Sequence, residues 1–263
     1  HNIYLPKTLE RIENEAFRGC ANLEEIDIPE STTRIGDSAF RDCTSMKTLR
    51  VCNSYVKIGE RAFENCASLE SVSLPNDMTE IYGGVFNSCK SLKTIRLPER
   101  LTILGESAFS DCECLQSISV PQNVTKIDDL TFNGCTGLKE VELNEGLRKI
   151  GKSAFKNCRA LTRIKIPTTV STIDNAPFRG CESLRSIQVE SRNKYFKSAP
   201  SKREGSDHVL FNKNKSMLIA YPASSREVQY DVPDSVVTIS DWAFSECRKL
   251  SRITGPDSVH DIG

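Results

Sequence analysis

Nowhere does the sequence hold an apolar run near the roughly 20 residues that a membrane-spanning helix needs, so no inserted segment is expected. Neither sign of charge is in excess. Lys plus Arg and Asp plus Glu are equal at 35 each, which leaves no net field to draw nucleic acid or an anionic membrane. Histidine is scarce, with three, and His1 and His260 lie near the ends. The third, His208, follows Ser206 and Asp207, and three consecutive residues cannot converge on a substrate as a catalytic triad must. There is no glycine-rich phosphate loop, because the glycines recur singly at turn positions. Carboxylates are scattered over variable positions, so no glycosidase pair can be nominated. The chain therefore reads as a non-enzyme, with no catalytic residue, cofactor or metal.

Cysteine is what the sequence has in quantity, and it is not clustered. Of the 11 cysteines, nine occupy one position of a repeat; Cys52 and Cys114 are strays. Zinc sites need ligands at short spacings so that four converge, and Cys112-Glu113-Cys114 lacks a partner pair. Rungs of a stacked repeat lie about 4.8 Å apart, within the Cα limits of a disulfide. The expected arrangement is instead an inward ladder of small unpaired thiols.

The repeat itself is the dominant signal. Phe17, Phe40, Phe63, Phe86, Phe109, Phe132, Phe155 and Phe178 fall at one constant interval, each followed three residues later by Cys20, Cys43, Cys66, Cys89, Cys112, Cys135, Cys158 or Cys181. A ninth pair, Phe244 and Cys247, follows a break in phase. A fixed period of about 23 residues marks a solenoid, in which one short unit stacks on itself and no unit buries its core alone. Aligned on the phenylalanine, the unit reads Ile-Gly-x-x-Ala-Phe-x-x-Cys-x-x-Leu-x-x-Ile-x-Ile-Pro-x-x-Val-x-x. Ile-x-Ile alternates as a short strand with one buried face. The proline that usually follows (Pro29, Pro75, Pro98, Pro121, Pro167 and Pro256) has no N–H to donate and ends the strand. The second isoleucine column leads to Gly36, Gly59, Gly105 and Gly151, read as turn residues, with Asp128, Asp174 and Ser240 as substitutes. The segment through Ala-Phe-x-x-Cys is too short for a stable helix and is expected to form a single helical turn.

These motifs resemble the BspA-like, or Treponema-type, leucine-rich repeats, over essentially the whole chain. The resemblance implies a right-handed superhelical solenoid with parallel β-sheet, carried on the surface of bacteria or parasitic protists. It further implies adhesion to host or microbial macromolecules and no shared catalytic residues. The implied partner is a protein or glycan, host extracellular matrix among them, bound by a monomer that is extracellular or at the cell surface. A passive spacer that presents another domain is the alternative. The chain opens and closes inside a repeat, so it is expected to be a fragment of a longer protein with export signals and caps outside it. Two sequons, Asn123-Val124-Thr125 and Asn214-Lys215-Ser216, matter only if the source glycosylates.

Regular repeats are expected over 1–189, an insertion over 190–231 and a final regular repeat over 232–263. Val189 and Val232 hold equivalent strand positions 43 residues apart, three short of two repeats. Between them, Tyr195 to Pro200 and Lys202 to Gly205 lack the core pattern. Val209-Leu210-Phe211 and Met217 to Pro222 flank Asn212 to Lys215 and read as a β-hairpin. Spare aromatics gather here: Tyr195, Phe196, Phe211, Tyr221, Tyr230 and the single tryptophan, Trp242. Hot spots favour Trp and Tyr, and irregular loops on rigid scaffolds often carry function. Tyr195, Phe196, Tyr221, Tyr230 and Trp242 are therefore candidate partner-binding residues, with Trp242 either exposed or covered by the hairpin. On the outward sheet face an acidic rung, Glu140 and Glu142, neighbours a basic one, Arg163 and Lys165. These four are further candidates, either as a binding face or as cross-strand charge pairs of little individual weight.

Overall fold

The computed structural model describes residues 3–201 and 207–263. It is a parallel β-solenoid of about 11 turns, each of about 23 residues. The Ile-x-Ile segments form the main sheet row: Glu25–Ile28, Thr48–Val51, Ser71–Ser73, Ser117–Ser119, Glu140–Glu142, Arg163–Ile166, Ser186–Val189, Gln229–Asp231 and Arg252–Thr254. Within the regular repeats, paired strands are parallel and in register at one full repeat, with Ile26 beside Leu49 and Ile164 beside Ile187. The ladder is interrupted at 94–97, where the chain follows the same path outside a regular strand. Two-residue strands such as Arg34–Ile35 and Lys149–Ile150 form a second parallel row.

The connecting segment is not a helical turn, and no helix occurs among the described residues. Two residues per turn sit in the left-handed region, as at Ser38 (φ 54°) and Asp42 (φ 63°), and this interrupts right-handed helix. The second column is filled by Gly19, Asp42, Asn65, Ser88, Asp111, Gly134, Asn157, Gly180 and Glu246, mostly residue types that tolerate this conformation. Alternate N–H groups then point along the stack. Phe17 N–H donates to Ala39 O at 2.7 Å and Gly19 N–H to Arg41 O at 2.8 Å, while Arg18 N–H closes a local turn on Glu15 O at 3.0 Å. Gly36 is required for a different reason than a turn: a Cβ there would stand 2.4 Å from the Asn14 nitrogen of the preceding rung.

The eight periodic phenylalanines stack face to face, with centroids 5.0–5.9 Å apart and planes within 18°. The cysteines are unpaired. Seven of them, from Cys43 to Cys181, donate S–H to the phenylalanine carbonyl 26 residues earlier at 3.1–3.3 Å. Each of these carbonyls also accepts the backbone N–H of the cysteine in its own turn, as Phe40 O does from Cys43 N–H at 3.2 Å, so the thiol of the next rung is a second donor that uses the remaining lone pair and ties the two rungs together. Burial pushes Cys43 and Cys181 up to about 12. Cys20, with no earlier rung of the column among the described residues to cover it, is exposed rather than part of the buried ladder.

The insertion contains the expected hairpin plus one strand more. Phe196–Pro200, His208–Asn212 and Met217–Ala220 pair antiparallel, and the last rejoins the second row beside Thr238–Ile239 in parallel. His208–Asn212 is buried along its centre on both faces. Leu210 belongs to the larger core with Phe196, whereas Val209 and Phe211 belong to a smaller core with Leu218, Tyr221, Tyr230, Val232, Val236 and Ile239.

Candidate functional site

Along the main sheet, the outward residues of successive rungs and those just after each strand enclose a groove of about 1310 Å³. It runs from Thr94 to Glu190 and includes the interrupted rung at 94–97. Its charged lining is Arg96, Glu99, Glu140, Glu142, Glu145, Lys165 and Glu190. Parallel register places Glu140 and Glu142 beside Ser117 and Ser119, so both carboxylates share one face of one short strand. Ser119 Oγ donates to Glu142 at 2.9 Å. Glu145 accepts from Thr168 Oγ1 at 2.7 Å and from Thr168 N–H at 3.2 Å.

The two cations in the groove are already engaged. Arg96 pairs with Glu99 at 2.5 Å, and Lys165 pairs with Glu190. The hydrogen bond it donates to Glu190 holds the Lys165 ammonium above its ordinary pKa, with the charges of Glu190 and Glu145 adding to it. The cross-strand pairing expected between the acidic and basic rungs is not what forms. Lys165 turns to Glu190, and no ion pair among the described residues links Glu140 or Glu142 to Arg163 or Lys165. Arg163 is exposed on the same strand but lies outside the groove lining.

The aromatic candidates divide by burial. Phe196, Tyr221 and Tyr230 are interior, the last two only 3% and 4% exposed, and so they offer no surface to a partner. The reason lies in the register. Tyr221 N–H donates to Ala243 O at 2.8 Å, repeating the bond that the periodic phenylalanines from Phe17 to Phe155 make to the next rung, and the Tyr221 ring lies 5.4 Å from Phe244. Tyr221 therefore fills a phenylalanine position, and Tyr230, beside Ile253, fills an isoleucine position. Burial pushes the Tyr221 phenol up to about 12, and its hydroxyl donates to Ser225 Oγ at 3.1 Å.

Tyr195 and Trp242 are about half exposed, which settles Trp242 as uncovered by the hairpin. Neither lines the groove. The Arg179 guanidinium lies 3.3 Å over the Trp242 ring. Nearby, Asn175 Nδ2 donates to Asp241 at 2.5 Å, and Glu182 pairs with Arg248 at 3.4 Å. These contacts join turns 66 residues apart.

The row Ser206-Asp207-His208 is divided between separate partners, with Ser206 outside the described residues, as are Lys202 to Gly205 and His1. His208 Nδ1 lies 3.1 Å from buried Ser186 Oγ. Asp207 instead accepts from Ser225 Oγ at 3.1 Å and Arg226 N–H at 2.9 Å. Sequence reasoning missed Glu99, Glu145 and Glu190 in the groove. Glu99 and Glu145 stand two repeats apart in one column, a signal that was readable; Glu190 sits where the period is lost.

A model of the BspA-type leucine-rich repeat region matches six copies, over residues 1–116, 102–214 and 223–263. The chain belongs to this family. Its fold is that of a leucine-rich repeat, typically a non-enzymatic scaffold, and such proteins generally bind other proteins. A leucine-rich cell surface protein from Faecalibacterium prausnitzii aligns over 100% of this chain and 69% of its own, at 24% identity and a TM-score of 0.67. A leucine-rich repeat protein from T. pallidum aligns over 61% of this chain and 77% of its own, at 31% identity and a TM-score of 0.57. The pneumococcal vaccine antigen PcpA shares the fold over 100% of this chain and 61% of its own, at 20% identity and a TM-score of 0.63. No curated protein matches. Among the described residues, no helix is long and apolar enough to cross a membrane.

Proposed function

We propose that this BspA-type solenoid is a binding module of a cell-surface protein that adheres to a protein or glycan through the groove on its main sheet. The observation that carries the reading is the groove itself: an open, charged depression spanning several rungs of the main sheet. Solenoid sheets use extended concave surfaces in this way. The kinship with a cell surface protein and a vaccine antigen supports an extracellular setting for the chain. In this reading the module is monomeric and has no catalytic activity or cofactor. The segment 190–231 is an insertion within one solenoid, and Tyr195 and Trp242 are a secondary contact outside the groove.

The test is biolayer interferometry of the immobilised chain against purified extracellular-matrix proteins and glycans, with the double variant Ser117→Arg, Ser119→Arg filling the groove. At least one ligand should bind saturably and lose affinity tenfold or more in the filled variant. A blank panel favours the passive spacer. Binding untouched by groove filling but lost in Trp242→Ala would move the site to the insertion.

A further inference from the structure

We propose that the groove's partner is a cationic polypeptide segment, rich in Lys or Arg and bound in an extended form; this rests on the groove being the binding face. Five carboxylates (Glu99, Glu140, Glu142, Glu145 and Glu190) face two cations (Arg96 and Lys165), an excess of three negative charges in a chain whose total charge is zero. Both cations are spent on Glu99 and Glu190. Glu140, Glu142 and Glu145 have no cationic partner in any described ion pair, and their hydrogen bonds from Ser119 and Thr168 leave further acceptor capacity, since a carboxylate offers about four lone-pair sites.

Anionic ligands are disfavoured by this field, because like charges brought together in an interface cost affinity. A metal ion is disfavoured by geometry: among the described residues no three His, Cys, Asp or Glu side chains converge as ligands would. An apolar anchor has no seat, because no aromatic ring lines the groove. What fits is charge distributed along a line. Four rung steps of about 4.8 Å give a length of about 19 Å, the span of about six residues of extended chain at about 3.3 Å each. Binding through such a face should associate fast and weaken with salt.

The probe is a fluorescein-labelled decapeptide of alternating Lys and Ser, with a Glu-Ser peptide as its mirror in charge, read by fluorescence anisotropy. The Lys peptide should bind saturably in about 50 mM salt and be released as salt approaches about 500 mM. The triple variant Glu140→Gln, Glu142→Gln, Glu145→Gln should weaken it tenfold or more. Glu25→Gln with Asp27→Gln, acidic residues of the same sheet row outside the groove, should leave it unchanged. Equal binding of the two peptides, full affinity in the triple variant, or calcium binding by calorimetry that the triple variant abolishes would overturn the proposal. Thermal melts of each variant check that it is folded. If a panel ligand is lost on groove filling while the Lys peptide never binds, the groove stands as the site and the cationic partner falls. If groove filling affects nothing, both readings fall together.

Discussion

The regular stack and the junction beyond Val189 solve the same problem with different means. In the stack each rung is buried by near copies of itself. Small, simple side chains therefore suffice: a phenylalanine column, a thiol column and two isoleucine columns, each closing on its own equivalent in the next rung. At the junction the chain returns to its strand position after 43 residues rather than 46, and no such copy is available. Antiparallel strands fill the space, tyrosines replace phenylalanine and isoleucine, and a buried Asp207–Ser225–Tyr221 network ties the loops. The strand His208–Asn212 then faces a different core on each side. Repetition makes stability nearly additive between neighbouring rungs; its loss makes polar side chains necessary to specify one geometry.

Alkali should separate the two regions most strongly. The buried thiols have folded-state values raised above the ordinary 9.0, about 12 at Cys43 and Cys181, so the folded state keeps protons that the unfolded state releases. Stability is therefore full below pH 9 and falls as pH rises from 9 toward 12, by about 1.4 kcal/mol per thiol per pH unit at most. Seven such thiols lie in the stack. Unfolding free energies from urea titrations at pH 7 and pH 10 should differ by up to about 10 kcal/mol, and Cys112→Ala should reduce the slope; a flat profile would refute the buried thiol ladder. Next in size, Phe109→Ala removes a ring stacked on both sides and should cost about 3–5 kcal/mol in urea unfolding. Asp207→Ala strips the junction network of its acceptor and should cost about 2 kcal/mol, with faster hydrogen exchange around Ser225 and Arg226. The smallest effect has a diagnostic sign. Trp242 holds φ at 60°, so Trp242→Gly should be less destabilising than Trp242→Ala by about 1 kcal/mol, although both lose the Arg179 contact.

The core was legible because it is written in columns. Phe40, Cys43, Met46 and Leu49 are interior for the same reason that their equivalents one repeat on are. The turn was less so: a left-handed backbone is not a residue type, and only the Gly, Asn and Asp of the second column betray it. Tyr221 and Tyr230 misled because a gathering of aromatics is as consistent with a core built without repeats as with an exposed patch. In the groove, Glu140, Glu142 and Lys165 could be read from the strand alternation. The pair between Lys165 and Glu190 could not, since its partners stand slightly more than one repeat apart, off the period, where the insertion begins.

Trp242 is the chain's single tryptophan, and it sits where turns 66 residues apart are brought together. The stack of phenylalanines is silent at indole excitation wavelengths. Indole emission from the unlabelled protein is therefore a signal from the junction alone, while backbone dichroism averages over every rung. Recorded together during unfolding, the two channels would time the parting of the turns against the melting of the stack, with no introduced probe.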